Sequence, residues 1–478
     1  MQLRRDRRIH LPLLGALGLV IGLLIAAVLT APRIQSYLPL NESSQVPASA
    51  SISITFSQRM DPESVEDHLQ IDPAIDAAIT WSENTLVLEH DDSWPQGATV
   101  TVTVSSGARS AGFLPLLRSV TWSFTIGEPR IAFLWEGTEY TEVYAQELDS
   151  DEPEKLTETE MGVYDFSLGG RGTLLVYSAE RQDGGTDLYM LDLVSGEDRL
   201  VYPCPSGSRC ESSSLSPSGD YLTFERVELQ TGVAGQMFSG NREVWILPLD
   251  GEQQPFLAGE QDHATSAPRW SPMSTLTFYD STIVAIVIID PRLGPNHVPL
   301  VTIPCGMGNL STWSPDGTEL VFAEMVISAD QEPVGESETD HDDLALDFYT
   351  HLFVIDLSTN IIRDLSGDER LPVEDASPAY SPDGQSIAFA RRYMDEALFT
   401  LGRQIWLMEP DGSIPRTLTG DTLFNHSSLA WSPDSSTLAY MRFNRADISQ
   451  EAEIWTVSAD GQNARKLFGG GYLPVWIP

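Results

Sequence analysis

The chain has 478 residues, 41% of them hydrophobic, and a formal net charge of −41, so it is too long for one ordinary domain, has enough apolar matter for real cores, and is strongly acidic. A surface of that sign repels nucleic-acid phosphates and anionic headgroups. It excludes nucleic acid as a partner and leaves cations, basic proteins or neutral polymers, although adaptation for solubility explains the acidity equally well.

The chain opens on Arg4, Arg5, Arg7 and Arg8, followed by an uncharged, mostly apolar run over residues 11–29. As a helix rising about 1.5 Å per residue, that run spans about 28 Å, close to the thickness of a bilayer hydrocarbon core. It predicts a basic cytoplasmic stub over 1–10, a transmembrane signal anchor over 11–30, and the bulk of the protein extracytoplasmic at the cell membrane. A cleaved signal peptide is the competing reading, but the run is long for one and residues 28–32 lack a small-x-small cleavage site. Residues 31–46 contain Pro32, Pro39 and Asn41-Glu42-Ser43-Ser44 without periodicity and read as a linker.

Between 47 and 127, residues 51–56, 85–89, 99–104 and 120–126 place an apolar side chain on every second position. That is the pattern of half-buried strands in a small β-sandwich. The motifs Phe56-Ser57-Gln58-Arg59-Met60-Asp61 and Trp122-Ser123-Phe124-Thr125 resemble those that open and close bacterial Ig-like domains of the SbsA type.

From 128 to 478 the chain repeats itself. An apolar-x-aromatic strand recurs as Ile131/Phe133, Leu175/Tyr177, Leu222/Phe224, Leu276/Phe278, Leu320/Phe322, Ile387/Phe389 and Leu438/Tyr440. These seven copies have roughly the spacing of four-stranded propeller blades with loop insertions. Turns such as Trp313-Ser314-Pro315-Asp316-Gly317 and Tyr380-Ser381-Pro382-Asp383-Gly384 precede the strand, with Pro fixing φ and Asp-Gly tolerating left-handed backbone. A following strand carries Tyr144, Tyr189, Trp245, Phe353, Trp406 or Trp455; the fourth copy, residues 282–289, lacks this aromatic. The pattern resembles the TolB-like β-propeller, a WD-like repeat family. The first copy lacks an innermost strand while the end of the chain, 472–478, supplies a spare one with Trp476. The expected fold is therefore all-β: an N-terminal transmembrane helix, an Ig-like β-sandwich, and a seven-bladed, four-stranded β-propeller closed by the C-terminal strand.

Candidate chemistry is sparse. Cys204, Cys210 and Cys305 make neither a disulfide framework nor a zinc spacing, although Cys204 and Cys210 flank a turn short enough for a local disulfide, leaving Cys305 unpaired. No nucleophile elbow, zinc helix or phosphate-binding loop is found, so no enzyme and no metal site are expected. The repeat aromatics read as packing and the turn aspartates as turn geometry. Long insertions at 227–241, 325–350, 393–402 and 443–451 all fall on the side opposite the Ser-Pro-Asp-Gly turns. Asp340, His341, Asp342, Asp343 and Asp347 in the longest of them are the candidate partner-binding residues, with a merely solvated loop as the plain alternative. Calcium would suit such carboxylates, but it needs six to eight converging oxygens, and no cofactor is expected. These features, with the TolB resemblance, imply a membrane-anchored scaffold whose partners are the membrane, through the helix, and an envelope protein or polymer, on the loop face. The alternative is a carbohydrate-active propeller enzyme of sialidase-like or polysaccharide-lyase-like type.

Overall fold

The computed structural model describes residues 29–90, 93–137, 139–150, 152–231, 237–251, 253–308, 310–328, 347–368 and 371–478. The chain divides into two compact units. One is made of residues up to Glu128 with Leu193–Gly196, the other of Pro129–Asp192 with Glu197–Pro478.

In the first unit, alternation carries Ile52, Ile54 and Phe56, Leu86 and Leu88, and Val100, Val102 and Val104 to the inner faces of two sheets, all buried. One sheet has the order Ile34–Leu38, Ile52–Phe56, Thr85–Glu89, Ala78–Ser82; the other has Leu69–Asp72, Thr99–Val104, Val120–Thr125. Trp94 and Trp122 fill the centre, with the Trp94 indole donating to the Ala50 carbonyl at 3.2 Å and Tyr37 stacked on Trp122 at 4.3 Å. Tyr37 lies in the stretch expected to be a linker, which instead supplies an edge strand paired with Ile52–Phe56. A register shift between Ile34 and Ser36 breaks the alternation and hides that strand from a periodicity search.

Among the described residues no helix is long and apolar enough to cross a membrane. This corrects the expected transmembrane anchor and, with it, the placement at the cell membrane. The helix Pro62–Glu66 has five residues, a rise of about 7 Å against a hydrocarbon core of about 30 Å. Residues 1–28, on which the expectation rested, lie outside the described residues.

The second unit is built from antiparallel repeats over 130–155, 163–202, 208–257, 265–304, 311–364, 373–417 and 424–469, numbered 1 to 7 below. Repeats 2 to 7 have four strands each, and repeats 5 and 6 are joined by one parallel bridge, Thr350 to Glu374. Repeat 1 contributes three strands and takes its fourth from Gly471–Ile477, which pairs with Arg130–Glu136. The register of the second and third strands is the same throughout: Phe133 faces Tyr144, Tyr177 faces Tyr189, Phe224 faces Trp245, Phe322 faces Phe353, Phe389 faces Trp406 and Tyr440 faces Trp455. In repeat 4, Phe278 faces Val287.

Neighbouring repeats meet through apolar faces and through a recurrent indole bond. Trp270, Trp431 and Trp476 each donate from Nε1, at 3.0 Å, to the carbonyls of Ser214, Ala379 and Ala430 in the preceding innermost strand. Each innermost strand touches the next from Val163–Gly169 onward, and Gly471–Ile477 touches both Phe424–Trp431 and Val163–Gly169. The Ser-Pro-Asp-Gly turns are closed by their own side chains: Asp316 accepts from the Ser314 hydroxyl at 2.6 Å and the Thr318 N–H at 3.0 Å, and Asp383 repeats this with Ser381 and Gln385. Those serine hydrogen bonds hold both carboxyls below the usual range.

Gly172 sits at φ +89°, and a Cβ there would strike the ring of Pro478. Gly172→Ala should therefore lower the melting midpoint clearly more than Gly219→Ala, where φ is +76° and nothing lies within 4 Å. The control carries only left-handed strain, about 1–2 kcal/mol, whereas the clash adds overpacking of about 1–3 kcal/mol. Deleting residues 472–478 should cost more still, and a calorimetric midpoint within 1–2 °C (on the order of 0.5 kcal/mol) of wild type would refute the role given to this strand.

Candidate functional site

Asp340, His341, Asp342 and Asp343 lie outside the described residues, and Asp347 opens the strand Asp347–Asp356. What can be located is the side of the second unit from which that insertion leaves. Innermost strands end in the Ser-Pro-Asp-Gly turns, so their first residues, the last residues of the second strands and the first of the third all share the opposite side.

Exposed apolar side chains gather on that side in repeats 5 to 7. Met325 and Ile327 end a second strand, and Phe348 begins the third, with Ile327 and Phe348 directly opposed. Leu398 and Phe399 follow in the connection of repeat 6, and Ile448, 89% exposed, in that of repeat 7. Arginines on the same side are held by carboxylates: Arg392 and Arg403 by Glu374 at 2.5 and 3.0 Å, and Arg442 by Glu453 at 2.9 Å. Beneath them Arg391 and Asp375, both buried, form a bidentate pair at 2.7 and 2.6 Å. Removing one partner of such a pair strands a buried charge.

Repeats 2 to 4 carry a charged network at the same level. Glu211 and Glu225, both buried, share the Arg242 guanidinium at 2.7 and 2.6 Å. Glu225 also accepts the Ala267 N–H at 2.8 Å, and Ala267 has φ +55° at the bulge of its strand. Ser212 occupies the same place one repeat earlier, at φ +53°, and donates its N–H to Asp165, which also accepts from the Ser178 hydroxyl. Burial pushes the Asp165 carboxyl up to about 6, against the pull of those two hydrogen bonds. Cys204 and Cys210 form a disulfide, S–S 2.10 Å, that ties down the loop leading into Arg209 and Glu211. Cys305 is a buried thiol pushed up to about 12, chiefly by burial. None of the network was visible in the sequence, because its members are far apart in the chain and meet only across paired strands and bulges.

Two of the larger cavities lie in the second unit. One, of about 830 Å³, is bounded by the innermost strands of repeats 2 to 7 on the turn side, with Trp270, Trp313, serine hydroxyls and the exposed Arg269 in its wall. The other, of about 880 Å³, lies between the outer parts of repeats 3 and 4 and is lined by Phe256, Phe278, Val287, Ile289, His263 and Asp280, among others.

Residues 29–126 match the family described as Bacterial Ig-like domain. Over 106 residues, 21% of this chain, the sequence is 31% identical to a Bacillus subtilis (strain 168) protein described as the uncharacterized peptidase YuxL. The chain spans only 15% of that relative's length. Among solved structures it is similar to TolB from Acinetobacter baumannii, at 14% identity and TM-score 0.43, over 86% of this chain and 83% of that one. It is also similar to a puromycin hydrolase, at 14% identity and TM-score 0.49, over 71% and 53%. The expectation that the chain is no enzyme is corrected by the match to a protein described as a peptidase. It rested on missing sequence motifs, and catalytic groups are defined by geometry that distant residues can assemble.

Asp165 gives this side of the unit a signature in pH. Its folded value lies above the ordinary 3.8, so the folded state holds more protons between about 4 and 6. Its contribution to stability is complete below about 4 and is lost as pH rises through about 6. Asp165→Asn should gain on wild type by about 2–3 kcal/mol between pH 4 and pH 7.5 in urea denaturation. A difference that does not move with pH would show that Asp165 does not titrate there.

Proposed function

We propose that the second unit is a seven-bladed β-propeller, closed by pairing of its first and last strands, that binds polypeptide on the side from which its long connections leave. The closure is supported by the Gly471–Ile477 strand and by the Trp476 indole, which repeats toward repeat 7 the bond that Trp270 and Trp431 make elsewhere. The binding role rests on one observation: in three consecutive repeats the apolar residues Ile327, Phe348, Leu398, Phe399 and Ile448 are exposed on that single side. Exposed apolar surface gathered on one side of a rigid frame marks a site of interaction. A chain of net charge −41 favours basic partners. The relative described as a peptidase supports polypeptide as the ligand class.

The test is selection of peptides from a random 12-residue display library on the full-length protein. Enriched peptides should combine apolar residues with Lys or Arg, and their affinity should fall as salt rises. The double variant Phe348→Asp, Phe399→Asp should weaken them at least tenfold while keeping a cooperative melting transition, lowered by no more than the cross-strand pair contributes, about 1 kcal/mol. Failure to enrich any motif, or unchanged affinity in the variant, would reject this reading.

A further inference from the structure

Repeat 4 differs from repeats 3, 6 and 7 at two positions that belong together. In repeats 3, 6 and 7 the third-strand ring, Trp245, Trp406 or Trp455, lies under an arginine two residues beyond the facing aromatic. Arg226 sits 4.0 Å from its ring centroid, Arg391 5.4 Å and Arg442 3.8 Å. In repeat 4 the ring position is Val287 and the arginine position is Asp280. Ring and cation are thus both missing, and a carboxylate stands in place of the cation.

A cavity adjoins the place the ring would fill, although Val287 and Phe278 are themselves buried. The cavity of about 880 Å³ between repeats 3 and 4 includes Val287, its outer-strand neighbour Thr302, and the facing Phe278. That volume suits a small ligand or a bulky side chain. Pro295 and His297 cover one flank, and His297 is fixed by the Ala258 carbonyl at 2.9 Å and the Gly294 carbonyl at 2.8 Å. Gly259 keeps the opposite wall low: a Cβ there would press on Thr265 and come within 3.6 Å of the Phe278 ring.

The polar edge of the cavity is acidic. Asp280 is buried, takes the His263 Nδ1 contact at 2.7 Å and accepts the Thr282 N–H at 3.0 Å. Glu260 lies on the rim, largely exposed, 3.7 Å from the His263 Nε2. Two carboxylates against one imidazole leave the edge negative even when His263 is charged.

We propose that this cavity is a binding site for an aromatic ring carrying an ammonium group a few bonds away. The ring enters the cavity beside Val287, where the siblings carry their own ring, and the ammonium sits at the Glu260 and Asp280 edge, where repeats 3, 6 and 7 carry arginine. An arylalkylamine and the N-terminal aromatic residue of a polypeptide share this chemistry. The site lies apart from the apolar side of repeats 5 to 7 and does not depend on polypeptide binding there.

Calorimetric titration of the full-length protein separates the cases, with tryptamine, indole-3-acetate, Trp-Gly-Gly-amide and its N-acetyl form as probes. Tryptamine should bind at least tenfold more tightly than indole-3-acetate, which has the same ring and the opposite charge. Val287→Trp restores the siblings' ring and should weaken tryptamine at least tenfold. Glu260→Gln, on the exposed rim where folding is not at risk, should weaken tryptamine three- to tenfold and leave indole-3-acetate no weaker. If Trp-Gly-Gly-amide exceeds tryptamine and acetylation removes the gain, the source is a polypeptide terminus; if tryptamine is the tighter, it is a free amine. The proposal falls if neither cationic probe saturates wild type, if tryptamine and indole-3-acetate bind equally, or if both variants bind tryptamine as wild type does.

Discussion

The free edge of each innermost strand is the constraint that the second unit must meet, and an indole bond meets it at three junctions. An innermost strand has a ladder partner on one edge only, so carbonyls on its other edge are orphaned unless something reaches them. Trp270, Trp431 and Trp476 supply that donor to Ser214, Ala379 and Ala430 at 3.0 Å in each case. The net worth of one such bond is about 1 kcal/mol, but leaving the carbonyl buried and unmet would cost about 1–3 kcal/mol. The same side chain delivers both the bond and a large apolar plane between repeats. The tryptophan before Ser-Pro is therefore structural, and its regularity says nothing of a ligand.

Repeat 4 is where this order lapses. Trp313, at the matching place in repeat 5, is buried with no hydrogen-bond partner for Nε1 among the described residues, so the indole bond toward repeat 4 is not made. On its other face repeat 4 lacks the ring of its siblings and the arginine of repeats 3, 6 and 7, and Asp280 is instead met by His263 from the preceding connection. That hydrogen bond raises the affinity of His263 for its proton. A buried carboxylate retained in place of a cation is expensive unless it is paired. Asp280 meets that condition through His263 and the Thr282 N–H.

The repeats and the alternating strands of the Ig-like sandwich were legible, and the bulged or shifted strands were not. Seven copies of an apolar-x-aromatic strand announced the repeats, and the absent aromatic of residues 282–289 marked repeat 4 as different before its cavity was seen. The spare Trp476 strand was legible because it completed a motif, and it does pair with the first repeat. The bulges at Ser212, Ala267, Ser377 and Ser428 carried no signal, since serine and alanine are ordinary in strands and their left-handed backbone appears only in three dimensions. With the bulges hidden, so were the carboxylates they serve, Asp165 and Glu225. Strand Ile34–Leu38 was missed for a related reason, a register shift that erased its alternation. Charge density drew attention to residues 340–347, whereas the apolar residues exposed beside that insertion, Ile327 and Phe348, were unreadable because burial is not a property of sequence.

Ile327 and Phe348 oppose each other where the second and third strands of repeat 5 run out beyond the apolar core of that repeat. Cross-strand apolar pairs steady a hairpin by a few tenths of a kcal/mol to about 1 kcal/mol even when half exposed, so the pair has a local use. That use does not require the neighbouring connections of repeats 6 and 7 to expose Leu398, Phe399 and Ile448 on the same side. Covering large apolar residues stabilises by about 1.5–3 kcal/mol each on full burial, and this chain leaves that energy unspent. Insertions cost little in closure entropy as they lengthen, so their length alone is neutral. Apolar exposure is not neutral, because it invites association. An acidic surface admits such exposure without self-aggregation, since like-charged copies repel while a basic segment is drawn in. On the binding role proposed above, the net charge and the exposed residues would act together: the first would select which chains approach, and the second would hold those that do.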